Sequence, residues 1–129
     1  DSTWIVPFEA GKIEAVAENV HHVLETVNAS VQIQLEEAGC EDIVQLELTV
    51  LDDMGRRVIS DQSEICVTIE GDCEYLGMDN GDAADVTEYR SHYRHCLEGK
   101  MMIYLRKLSD EKVKVTASNP KLRKAQIEV

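Results

Sequence analysis

Between Glu64 and Glu70 the side chains alternate: Ile65, Val67 and Ile69 are apolar, whereas Cys66, Thr68 and Glu70 can face water. A period of two is that of a half-buried strand, because successive Cβ atoms leave the pleated backbone on opposite sides. Gly71 then predicts a tight corner, Glu74 to Met78 a second short strand, and Asn80-Gly81-Asp82 a sharp loop, since Asn-Gly tolerates positive φ. The same two-residue period recurs upstream. Val31, Ile33 and Leu35 alternate with Gln32, Gln34 and Glu36 up to an acidic loop at Glu37 to Asp42, and Val44, Leu46, Leu48 and Val50 alternate with Gln45, Glu47 and Thr49. Asp52-Asp53-Met54-Gly55 reads as the closing turn, with Gly55 at its positive-φ position. A short extended piece is expected at Arg57 to Ile59.

Downstream, Lys100 to Lys107 places Met101, Ile103 and Leu105 on one face, and Ser109-Asp110-Glu111 predicts a hairpin turn into Lys112 to Ser118, with Val113, Val115 and Ala117 inward. Asn119-Pro120 breaks that strand, and Arg123 to Val129 supplies the last through Ala125, Ile127 and Val129. From Asp82 to Leu97 no period holds, which predicts a long loop that either crosses between sheets or protrudes.

The N-terminal part is less regular. Trp4 to Glu9 reads as an edge or terminal strand, because Pro7 removes a donor, and Ala10-Gly11 turns it. Lys12 to Glu18 suits a strand better than a short helix. Val20 to Asn28 is also read as strand, although Val20, Val23, Leu24 and Val27 fall at helical spacing. Short strands separated by turn signals predict an all-β fold: an immunoglobulin-like β-sandwich of about seven antiparallel strands over residues 29–129, plus an N-terminal extension of one to three strands over residues 1–28. No Cys-Trp-Cys framework is present, so the sandwich is not of the antibody type.

Composition sharpens this in three ways. With 129 residues the chain has room for one hydrophobic core, and 43% hydrophobic content with only 5% aromatic makes that core aliphatic. A net charge of −12 repels phosphate backbones and anionic lipid, so neither nucleic acid nor a membrane is an expected partner. The four cysteines, Cys40, Cys66, Cys73 and Cys96, show no CxxC spacing; they read as free, partly buried thiols, with one structural disulfide as the alternative.

Candidate chemistry is sparse. His92, His95 and Cys96 would converge on zinc if their segment were a helical turn, but solvated loop histidines are commoner. Asp79, Asn80, Asp82, Asp85 and Glu88 offer oxygens at a spacing unlike a calcium loop, so the plainer reading is Asx side chains bonding their own backbone. Trp4, Tyr75, Tyr89, Tyr93 and Tyr104 could stack on a sugar, though each alone suits packing or surface. A carboxylate pair for glycoside hydrolysis needs a concave site that linear order does not reveal, and Ser, His and Asp come without a G-x-S-x-G elbow. No cofactor is expected.

Several runs together resemble a known family. Val67-Thr68-Ile69-Glu70-Gly71, Leu76-Gly77-Met78-Asp79-Asn80-Gly81-Asp82, Gly99-Lys100 and Val113-Lys114-Val115-Thr116-Ala117-Ser118 with Leu122 resemble the C-terminal immunoglobulin-like domain of glycoside hydrolase family 2 enzymes of the β-galactosidase type. Leu48-Thr49-Val50-Leu51-Asp52-Asp53-Met54-Gly55 fits that pattern as well, and the run from Trp4 to Ala17 looks like closing strands of the domain before it. The resemblance covers residues 29 to 129, and the LG-x-x-NGD element is its most specific part.

The resemblance implies a noncatalytic accessory domain, since the family's catalytic glutamates sit in a (β/α)8 barrel and none maps onto this chain. Tyr75, Asn80, Asp82 and Tyr89 become the candidate loop contacts to sugar or to a neighbouring domain. Expected partners are the other domains of a parent glycosidase and, through the strands of residues 1–28, a second copy of the chain. A carbohydrate-binding module and an immunoglobulin-like adhesin repeat are the alternatives. Periplasmic, secreted and cytoplasmic locations all remain open.

Overall fold

The computed structural model describes residues 13–14, 23–24, 28–40, 42–85, 87–88 and 90–129. Within them the chain is all-β. Two short strands come first, β1 (Ile13–Glu14) and β2 (Val23–Leu24), paired antiparallel with Ile13 opposite Leu24. This agrees with strand at those residues; the strand expected at Trp4 to Glu9 lies outside the described residues.

Eight further strands build an immunoglobulin-like sandwich: β3 (Gln32–Cys40), β4 (Val44–Leu51), β5 (Glu64–Glu70), β6 (Cys73–Asp79), β7 (Tyr93–His95), β8 (Lys100–Lys107), β9 (Lys114–Asn119) and β10 (Leu122–Glu128). One layer runs β6-β8-β4-β3 and the other β10-β9-β5-β7, each antiparallel within itself. They are joined where β3 and β10 meet in parallel, Gln32 facing Arg123, so the two layers form one nearly closed sheet. Apart from the extra strand β7, this is the constant-type immunoglobulin arrangement of four strands over three.

The alternating positions meet in the middle. Val44, Leu46, Leu48 and Val50 of β4 and Met101, Ile103 and Leu105 of β8 face Ile65 and Val67 of β5 and Val115 and Ala117 of β9 across a dry core. Each fully buried aliphatic side chain contributes roughly 1.5–3 kcal/mol, which makes this interior the main source of stability.

Several expectations need correction. Glu37, expected to open a loop, belongs to β3, which runs on to Cys40 through a bulge between Glu37 and Gly39. The bulge resets the alternation, so consecutive exposed residues are no sign of a loop. Ser109 to Glu111 is not a hairpin turn: β4 and β6 occupy both sides of β8, so the chain crosses to the other layer and β9 pairs with β5 and β10. The true hairpin is β9 to β10, at Asn119 and Leu122. The piece expected at Arg57 to Ile59 reduces to a single bridge between Arg57 and Leu51. Finally, the loop from Asp82 to Leu97 crosses between layers and contains β7, an eighth strand whose three residues are too few to show a period.

Candidate functional site

The described residues between β6 and β7 close the side of the sandwich where these two edge strands leave a seam. Its first part is a series of Asx turns. The Asp79, Asn80, Asp82 and Asp85 side chains accept from the backbone N–H groups of Gly81, Asp82, Ala84 and Thr87, at 2.8–2.9 Å. Gly81 has φ of +80°, as the Asn-Gly pair predicts.

Two of the candidate residues fasten the seam. Tyr75, on β6, donates its phenol proton to the Ser91 carbonyl at 2.8 Å and stacks on the His92 ring, with centroids 4.4 Å apart. Asn80 gives its amide to the Asp85 carboxylate at 2.7 Å and to the His95 carbonyl at 2.8 Å. Asp82 is exposed and holds its own turn. Tyr89 lies outside the described residues. The chain brings Asn80 and Asp82 together with Asp85, His95, Gln62, Cys96 and Leu97 around a shallow depression of about 230 Å³; Tyr75 is not among its walls.

Beneath the loop lies an ion pair that sequence reading missed. Arg94 is 5% exposed; its Nη1 meets Asp85 at 3.1 Å and its Nη2 donates to the carbonyls of Thr87 and Glu88. Hydrogen bonds from the side chain and backbone of Thr87 outweigh burial and, with Asn80 and the Arg94 charge, hold the Asp85 carboxyl well below the usual range. Nothing local in Tyr93-Arg94-His95 marks Arg94 as buried. Only its position opposite Ile65 in the β5–β7 pair does so.

A second polar centre sits where the sandwich begins. Asp52 is fully buried, and its carboxylate accepts from the N–H groups of Asn28, Met54 and Arg56 and from the Arg56 guanidinium at 2.8–3.0 Å. Burial pushes its pKa up, but these donors prevail and lower it to about 2. Asp61, 8% exposed, accepts from Ser30 Oγ at 2.6 Å and from the backbone and hydroxyl of Ser63. The D-x-x-G spacing signalled a turn at Asp52, yet not the convergence of four donors on it.

The metal readings do not assemble. His92 and His95 direct Nδ1 to the carbonyls of Val67 and Gln62, and the segment is extended rather than a helical turn. Among the described residues no three His, Cys, Asp or Glu side chains are placed to hold a metal ion. Cys66, Cys73 and Cys96 are free thiols. Burial and the nearby Asp61 charge push the Cys96 thiol up to about 12.

Fold and seam together define an immunoglobulin-like β-sandwich whose irregular loops serve its own closure. Residues 27–128 match the model of the glycoside hydrolase family 2 C-terminal domain 5, and the chain belongs to that family. Solved structures show the same fold. A family 2 member from Bacteroides cellulosilyticus superposes with a TM-score of 0.82 at 23% identity, over 98% of this chain and 19% of that one. A β-glycosidase from Bacteroides vulgatus gives 0.79 at 23% identity, over 98% and 18%. A β-glucuronidase from glycoside hydrolase family 2 gives 0.80 at 19% identity, over 96% and 14%. The chain thus spans less than a fifth of the length of each. No curated protein matched it.

Proposed function

We propose that the chain is a noncatalytic accessory β-sandwich of a family 2 glycoside hydrolase of the β-galactosidase or β-glucuronidase type, and that its role is to pack against sibling domains. The observation that carries this reading is the family match, which runs from just before β3 to the end of β10. The internal use of the candidate residues supports it: the Tyr75 phenol and the Asn80 amide are engaged within the chain. We place the boundary with the preceding part at residues 28 and 29. The separate β1–β2 pair favours that division, and Asp82 is left as a contact for a neighbouring domain.

The test is an assay of the purified chain beside the full-length product of its gene, using p-nitrophenyl β-galactoside and β-glucuronide. Hydrolysis by the full-length protein alone is the expected result. Turnover by the isolated chain, or by neither protein on any β-glycoside, would remove the reading.

A further inference from the structure

Asn80 is the asparagine of this chain that precedes a glycine; Asn19, Asn28 and Asn119 are followed by Val20, Ala29 and Pro120. That pairing carries a chemistry of its own. Gly81 has no Cβ to shield its backbone nitrogen, so this nitrogen can attack Cγ of the Asn80 side chain once the two meet. The Gly81 nitrogen gives its proton to solvent base and bonds to Cγ; the Cγ–Nδ2 bond breaks, and the amide nitrogen leaves as ammonia with a proton taken from water. Water then opens the resulting succinimide at either carbonyl, which leaves aspartate or isoaspartate in place of the asparagine.

In the folded chain the atoms that this reaction needs free are held. The Gly81 N–H donates to Asp79 Oδ1 at 2.9 Å, and Asn80 Oδ1 accepts from the Asp82 N–H at 2.8 Å. Asn80 Nδ2, the leaving group, donates to Asp85 Oδ2 at 2.7 Å and to the His95 carbonyl at 2.8 Å. Asp85 is itself pinned by Arg94 Nη1 at 3.1 Å. Gly81 is exposed and Asn80 half-buried, so water reaches the site and the restraint is the set of bonds. Swinging Cγ onto the Gly81 nitrogen breaks several of them together. With each bond worth about a factor of five in an opening equilibrium, the reaction is slowed roughly a hundredfold.

We propose that Asn80 is a deamidation site held in check by the closed seam between β6 and β7, and that its conversion unfastens that seam for good. A carboxylate oxygen in place of Nδ2 has no proton to give. It would face the Asp85 carboxylate and the His95 carbonyl as acceptor against acceptor, and set a second negative charge beside that of Asp85. Closure therefore slows the reaction, and the reaction prevents closure. The inference rests on this chain's own contacts and not on the glycosidase reading.

The test incubates the full 129-residue chain at neutral pH, native and in guanidinium, and follows conversion of Asn80 by peptide mass and isoaspartate content. Conversion is expected to be roughly a hundredfold slower in the native chain than in denaturant. Asp85→Ala removes one acceptor of the leaving group, and Asp79→Ala removes the acceptor of the Gly81 N–H; each is expected to quicken native conversion about fivefold. Asp79 is exposed, so its variant decides the point should Asp85→Ala fail to fold. Asn80→Asp supplies one product directly. Amide exchange at Cys96, whose N–H bonds the Ser63 carbonyl, is expected to be about threefold faster there than in Asn80→Ala, with Ile103 and Val115 unchanged.

Equal conversion in the native and the denatured chain would overturn the proposal, as would an unchanged native rate in the folded acid variants. Parent-like exchange at Cys96 in Asn80→Asp would overturn it too. So would a collapse of protection at Ile103 and Val115 in that variant, because the damage would then belong to the whole fold and not to the seam.

Discussion

At Glu98 and Gly99 the backbone itself dictates the residue. Leu97 and Lys100 exchange backbone hydrogen bonds around them, and both have positive φ, +55° and +73°, the geometry of a type I′ hairpin turn. Glu98 bears the side-chain penalty of that region, so Glu98→Asn is expected to raise stability in urea by ~0.5–1 kcal/mol. Gly99 is more constrained, since a Cβ there would lie 2.4 Å from the Val58 carbonyl oxygen. Gly99→Ala is therefore expected to cost ~2–4 kcal/mol, and a wild-type urea midpoint in that variant would contradict the packing described.

Asp52 gives the residue-scale pH dependence. Its folded pKa, about 2, lies below the ordinary carboxylate value, so its contribution is fully present above about pH 4 and is lost as pH falls through 2. Urea midpoints of the chain and of Asp52→Asn are expected to differ most above pH 5 and to converge between pH 4 and 2. A gap that does not narrow there would contradict the buried, donor-rich site. The turn around Asp52 was legible in the sequence because Gly55 ends it. The convergence of donors on Asp52 was not, because one of them, Asn28, lies 24 positions away.

Among the elements, the long alternating strands were legible and the short or bulged ones were not. β4 and β5 each show their buried apolar residues at every second position, which is why both were readable without a partner. β3 concealed its last residues behind Glu37 and a bulge, and β7 exists only because β5 offers it a free edge. Partner choice was likewise hidden, as the short turn after β8 suggested a hairpin that the occupied edges of β8 forbid.

The seam between β6 and β7 follows from the same geometry. Two edge strands remain after eight are laid down, and side chains join them in place of a ladder. Tyr75→Phe and Asn80→Ala are each expected to cost ~1–2 kcal/mol. Either should speed amide exchange at Cys96, which bonds the Ser63 carbonyl, before the core strands respond. Equal loss across all strands would show that the seam has no stability of its own.

For the molecule as a whole, the sandwich class was written in the periodicity, and the family in the LG-x-x-NGD run and its neighbours. The role of that run was less readable: Asn80 suggests a contact for a ligand, but its amide spans to Asp85 and His95. Such long-range partners are what linear spacing leaves out. The closed interior also governs the thiols. Cys96 is 2% exposed with its pKa raised to about 12, so it should resist a thiol reagent in the native chain and react fully in denaturant. Prompt native reaction at Cys96 would mean that the layers part there.

The most direct test of the central claim is a single NMR titration of the 15N-labelled chain with methyl β-galactoside and methyl β-glucuronide. A noncatalytic sandwich whose loop is engaged in its own closure predicts no free-sugar signals and no shift at Asn80, Asp82 or His95. Accumulating free sugar, or saturable shifts at those three residues, would contradict it.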